Sequence, residues 1–104
     1  MSHGLKPDVD VGGIRPELVL AVAFAIPVFA AHGAACVVTS ARDGRHSRGS
    51  LHYAGLAIDL RSLDLPPADW EIVRDQLAQA LGPQYDVVLE RDHFHVEFQP
   101  KGPA

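Results

Sequence analysis

Two short segments hold most of the residues able to do chemistry in this 104-residue chain. The first is Ser50-Leu-His52-Tyr-Ala-Gly55-Leu-Ala57-Ile-Asp59, and the second is Asp92-His93-Phe94-His95-Val96-Glu97. Together they bring imidazoles and carboxylates that can converge. Three nitrogen or oxygen ligands with an open fourth position are what a catalytic zinc requires, so a metal-dependent hydrolase is the leading expectation. Period-2 alternation on the second segment puts Phe94, Val96 and Phe98 on one strand face and His93, His95 and Glu97 on the other. Asp59 likewise lies opposite the apolar face formed by Leu56, Ile58 and Leu60. If the two strands share a sheet, Asp59 and the histidines line one polar surface. His52 precedes Asp59 by seven positions, and Gly55 between them allows a sharp turn. An H-x-H on an exposed strand face is by itself ordinarily a solvated surface, and a histidine seven positions before an aspartate says less still. The two patterns together, with small or apolar residues between the polar ones, point to a metal cage.

The elements that must position these residues follow from pattern and punctuation. The length suits a single domain spanning residues 1–104, with 1–13 a loosely ordered lead-in and 99–104 a polar tail. Composition is that of a globular protein, 47% hydrophobic and 21% charged. A formal net charge of -4 gives no basic footprint for nucleic acid. Cys36 is the only cysteine, which excludes an intrachain disulfide and a cysteine-based zinc site. The N-terminus lacks the basic-then-apolar order of a signal peptide. The apolar stretch Leu18 to Val38 is long enough to span a membrane, but Pro27, Gly33 and its many alanines favour a buried helix followed by a strand.

That helix opens at Arg15-Pro16-Glu17, where proline and an acid suit the first turn. It runs to about Ala31, with Pro27 forcing a kink or an early end and Gly33 as the stop. Cys36–Ser40 reads as a strand, Ala41–Ser50 as a polar loop, and Leu56–Leu60 as a second strand. A second helix covers about Ala68–Leu81 on the stripe Trp70, Val73, Leu77, Leu81, and Gly82-Pro83 ends it. Tyr85–Leu89 and His93–Phe98 are further strands. The class is therefore α+β, with a small, mainly antiparallel sheet and two helices. Trp70 and the phenylalanines are read as core, and Cys36 as an inert buried thiol. His3 and His32 are not read as ligands. His46 is open between a neighbour of the site and an exposed residue, and Tyr53 between the cleft and packing.

The two segments resemble the signature motifs of the zinc D-alanyl-D-alanine peptidases, which include D-Ala-D-Ala carboxypeptidases, vancomycin-resistance dipeptidases and phage L-alanyl-D-glutamate endolysins on the Hedgehog/DD-peptidase fold. Val38-Thr-Ser-Ala-Arg-Asp-Gly-Arg-His46 and Tyr85-Asp-Val-Val-Leu-Glu90 look like the small phage and prophage members. The resemblance covers roughly Ile14 to Pro100. It implies one Zn2+ per chain, held by His52, Asp59 and His95. It implies Asp92, three residues before the last ligand, as the acid–base group that activates water and protonates the leaving amine, with His93 as a further catalytic group. Glu90 and Glu97 are the spare candidates for the base, because strict alternation would turn Asp92 to the core unless it lies in the turn before its strand. An arginine upstream of the first ligand is implied to bind a substrate carboxylate. Arg42, Arg45 and Arg48 all lie in the right stretch; Arg45 is preferred, and Ser50 adds a candidate contact.

The implied activity is hydrolysis of a peptide bond in bacterial peptidoglycan stem peptides, D-Ala-D-Ala carboxypeptidase-like. The alternatives are an L-alanyl-D-glutamate endopeptidase (endolysin) or a non-catalytic metal-containing binding or structural module of a phage particle. The expected partner is the peptidoglycan peptide, without nucleic acid or a membrane span, and the chain is expected to be a monomer. Lacking a signal peptide, it is expected to stay cytoplasmic until released, or to ride on a phage particle, before acting on the cell wall.

Overall fold

The alternation along the last strand positions the whole sheet. In the computed structural model, which describes residues 3–5, 16–41 and 57–99, β1 is His3–Leu5, α1 Pro16–Ala31 and β2 Cys36–Ser40. β3 is Ala57–Arg61, α2 Trp70–Leu81, β4 Tyr85–Leu89 and β5 His93–Phe98. A short 3₁₀ turn, Pro67–Asp69, leads into α2. The class is α+β. The strands form one sheet of order β1-β2-β3-β5-β4, antiparallel throughout except that β1 runs parallel to β2.

The face of the sheet carrying Cys36, Val38, Ile58, Leu60, Phe94 and Val96 packs against Leu18, Ala21, Ala25 and Phe29 of α1 and Val73, Leu77 and Leu81 of α2. All these side chains are buried. At the centre Phe29 and Phe94 meet edge to face, with ring centroids 5.8 Å apart, the geometry aromatic quadrupoles prefer. Burial of Cys36 in this layer pushes its thiol up to about 12, so it stays protonated and inert.

α1 ends where the glycine allows it to. Gly33 adopts φ 77°; its N–H donates to Ala30 O and the Ala34 N–H donates to Phe29 O, the paired bonds of a Schellman stop. The helix runs to Ala31 as expected, and of the two alternatives at Pro27 the early end does not occur; Pro27 and Ala23 are both exposed, so water can serve the carbonyl that a proline cannot. One expectation is corrected. Phe24 is not core but 46% exposed, on the outer face with Val19 and Leu20. Every residue of α1 after Glu17 is apolar, so periodicity carries no sign of which face turns inward. Among the described residues no helix is long and apolar enough to cross a membrane. Within the lead-in, His3–Leu5 form β1, which pairs with Cys36–Val38.

Candidate functional site

The sheet face away from the helices carries the chemistry. β3 and β5 pair antiparallel with Ala57 opposite Glu97, Asp59 opposite His95 and Arg61 opposite His93. On the far side of β5, Val88 lies opposite His95. On the far side of β3, beyond an irregularity in the β2 pairing, Ser40 lies opposite Asp59. Directly opposite residues on one face are close enough for their side chains to interact. The pairing of two separate strands thus sets Asp59 beside His95.

Asp59, His95 and Glu97 form a continuous line. His95 Nδ1–H donates to Asp59 Oδ1 at 3.0 Å, and its Nε2–H donates to Glu97 Oε1 at 2.6 Å. Glu97 Oε2 in turn accepts from Gln99 Nε2 at 2.5 Å. All three side chains of the line are largely shielded from solvent. The hydrogen bond to Asp59, and after it the one to Glu97, outweigh burial and raise the His95 pKa to about 9. Ala57, on the same face, is fully buried yet stands apart from the helix-side core. Its small side chain leaves Glu97 room to turn toward His95.

A second pair adjoins the first. Asp92 lies in the two-residue turn of the β4–β5 hairpin, closed by the Glu90 N–H donating to His93 O at 2.8 Å. The turn frees Asp92 from the strand's alternation, as its proposed role requires. Its carboxylate accepts from His93 Nδ1 at 2.8 Å. The other ring nitrogen of His93 lies 3.4 Å from Glu90 Oε1 and 3.7 Å from Asp59 Oδ1. The Asp92 carbonyl accepts from the Ser62 N–H at 3.1 Å, which ties the hairpin turn to the end of β3. Asp92 and His93, with Thr39, Arg61 and Leu63, line an open pocket of about 330 Å³.

The residues present fit a zinc ion in part of its coordination. Asp59 Oδ1 and His95 Nδ1 are a hard oxygen and an imidazole nitrogen held 3.0 Å apart. Two tetrahedral zinc ligands at these bond lengths are separated by about 3.3 Å. The remaining ring nitrogen of His95 is engaged by a carboxylate, the arrangement that orients most metal-ligating histidines. Among the described residues no group of three or more His, Cys, Asp or Glu side chains makes a complete metal site. The third expected ligand, His52, lies outside the described residues, as do Arg42, Arg45, Arg48, Ser50, His46 and Tyr53.

Of the sequence-nominated residues, the structure therefore unites Asp59, His93, His95 and Asp92. It gives Glu97 to His95 and leaves Glu90 exposed at the turn, next to His93. His32 sits away from this face, bonded to Asp69 and Gln76. The one sequence signal for Arg61 is the alternation that puts it on the face of Asp59, two positions later. Comparison with protein-family models, curated proteins and solved structures finds no match.

Proposed function

We propose that this chain is a zinc-dependent peptidase of the Hedgehog/DD-peptidase type, hydrolysing a peptide bond in bacterial peptidoglycan stem peptides. The observation that carries the proposal is the line Asp59–His95–Glu97, in which a cross-strand carboxylate and imidazole present adjacent donors while a second carboxylate orients the ring. A polar face built only for solvation has no need of a shielded histidine between two acids.

Asp59 and His95, with His52, are the residues that would hold the zinc. When bound, the ion would polarise the scissile carbonyl and lower the pKa of the attacking water. Glu97 fixes the His95 ring and, with both oxygens engaged, is poorly placed to act as a base. Asp92 and His93 are the acid–base pair, since their hydrogen bond joins a solvent-exposed carboxylate to an imidazole whose other nitrogen lies between Glu90 and Asp59. The pair can take a proton from water on one side of the reaction and return it to the departing amine. Arg45, or Arg42, with Ser50 would serve substrate binding from the loop before His52. D-Ala-D-Ala carboxypeptidase chemistry is the first reading and L-alanyl-D-glutamate endopeptidase chemistry the second; cytoplasmic retention until release, or carriage on a phage particle, and a monomeric state belong to the same proposal.

Digestion of purified peptidoglycan with mass spectrometry of the fragments, with and without chelator, tests the function and identifies the bond. New fragments that chelation suppresses are expected. An untouched wall under zinc-replete conditions would instead favour a non-catalytic, metal-containing module.

A further inference from the structure

We propose that Arg61 forms an anion subsite beside the candidate centre and selects peptides bearing a free carboxylate one to two residues from the scissile bond; this rests on the peptidase reading above. Arg61 ends β3 opposite His93 and shares the open pocket of about 330 Å³ with Thr39, Leu63, Asp92 and His93. That volume suits a small polar group or one amino-acid residue, at the lower end of ligand pockets. Two positions along a strand is about 6.6 Å, so an anion on Arg61 lies one to two residues along an extended peptide from a carbonyl placed over the Asp59–His95 pair.

The guanidinium is poised rather than spent. Its Nε and Nη2 both donate to one oxygen of Asp64, at 3.1 and 2.7 Å, leaving the rest of its five donors for a ligand. Both members of this pair are more than a third exposed, and exposed pairs of this kind hold weakly. Asp64 therefore orients the fork without committing it. A substrate carboxylate can accept two parallel N–H bonds from arginine, a geometry lysine cannot offer. The acid that lines the pocket, Asp92, is engaged by His93, which blunts its repulsion of an incoming anion. Thr39 adds a hydroxyl and Leu63, 62% exposed, an apolar wall for the residue that bears the carboxylate. The carboxylate can be the α-carboxyl of a γ-linked D-glutamate or the C-terminus of the stem.

Three synthetic stem pentapeptides, L-Ala-γ-D-Glu-L-Lys-D-Ala-D-Ala, separate these sources: one fully acidic, one amidated at the D-glutamate α-carboxyl, one amidated at the C-terminus. The zinc-loaded protein should prefer the fully acidic peptide over one of the amides. Arg61→Gln should lower kcat/KM on the preferred peptide by about 10–100-fold, chiefly through KM, and erase the discrimination. Arg61→Lys should restore part of it. Asp64→Asn, which releases the guanidinium without removing it, should keep the preference. Equal losses on all three peptides in Arg61→Gln, or no loss, would overturn the subsite. If the wild type cleaves none of them, titration of the acidic pentapeptide followed by backbone amide shifts at Thr39, Arg61 and Leu63 decides. Shifts absent in Arg61→Gln would keep the anion site while the peptidase reading falls; no shifts in the wild type would remove both.

Discussion

Among the described residues, His32 and His95 each hydrogen-bond two side-chain acceptors, and only one of them belongs to a candidate centre. His32, just past the end of α1, has Nδ1 3.2 Å from Asp69 Oδ2 and Nε2 2.8 Å from Gln76 Oε1. His95, in the middle of β5, has Nδ1 3.0 Å from Asp59 Oδ1 and Nε2 2.6 Å from Glu97 Oε1. The side chains are similarly buried, 16% and 17% exposed. What differs is the company. His32 bridges the end of one helix to the start and middle of another, and among the described residues Asp69 and Gln76 are its side-chain hydrogen-bond partners. His95 lies on a strand that itself carries His93 and Glu97, follows the turn that holds Asp92, and pairs with the strand that bears Asp59. A histidine between acceptors is thus read as a clamp or as a candidate ligand according to what the fold assembles around it, not according to its own bonds.

Removing the histidines one at a time gives the largest contrast. His95→Ala, like Asp59→Ala and His52→Ala, should deplete zinc in elemental analysis of the purified protein and lower turnover at least about 10³-fold, the scale of several kcal/mol of lost metal catalysis. His32→Ala should retain both metal and activity. Normal zinc in all three ligand variants would break the comparison at its root.

Next comes the acid–base pair. Asp92→Asn should keep the fold and the zinc while losing about 10²–10⁴-fold in kcat, with little change in substrate affinity. His93→Gln should behave alike, and the double variant should be little worse than either, because the two act as a unit. If Asp92→Asn stays near normal while Glu90→Gln is dead, the carboxylate 3.4 Å from His93 Nε2 is the working base instead.

The partners of the two histidines offer a finer test. Glu97→Gln should weaken zinc binding by about 10–100-fold in a competition titration with a chelating dye, as loss of an orienting carboxylate does, with kcat at saturating zinc nearly unchanged. Gln76→Ala, which strips the corresponding partner from His32, should leave zinc affinity untouched. Equal zinc affinity in Glu97→Gln and the wild type would reduce Glu97 to a surface acid.

Much of the fold was legible because strong local patterns coincide with tertiary faces. β2, β4 and β5 begin and end where β-branched and aromatic residues alternate between turn signals, and α2 buries the predicted Val73, Leu77 and Leu81. α1 was legible as a helix but not as to its face, since an all-apolar segment has no polar side to point outward. β1 was illegible: three residues including a glycine carry no period, and a parallel edge strand owes its existence to β2. At the site, parity alone placed Asp59, His93, His95 and Glu97 on polar faces. The meeting of Asp59 with His95 required the β3–β5 register, which no local pattern encodes. Glu97 was read as a spare base because spacing shows that it shares a face with His95, not that it turns toward it.

The smallest effect is the pH dependence of the clamp at His32. Both partners there are acceptors, so the protonated ring satisfies both while the neutral ring can donate to only one. The hydrogen bond to Gln76 and then that to Asp69 raise the His32 pKa above its ordinary 6.5, against slight desolvation. A histidine whose folded pKa exceeds its unfolded value adds stability that is complete below the unfolded pKa, near 6.5, and is lost as pH rises through the folded one. His32→Ala should therefore cost more at pH 5.5 than at pH 8.5. The difference should appear as a larger drop of the thermal midpoint at the lower pH. Asp69→Asn should flatten the same dependence in part, since Gln76 remains. Midpoints measured across that pH range in wild type and both variants, under saturating zinc so that the other histidine cluster stays fixed, isolate the clamp. A His32→Ala cost that is constant with pH would mean that the ring holds the helix seam by packing alone.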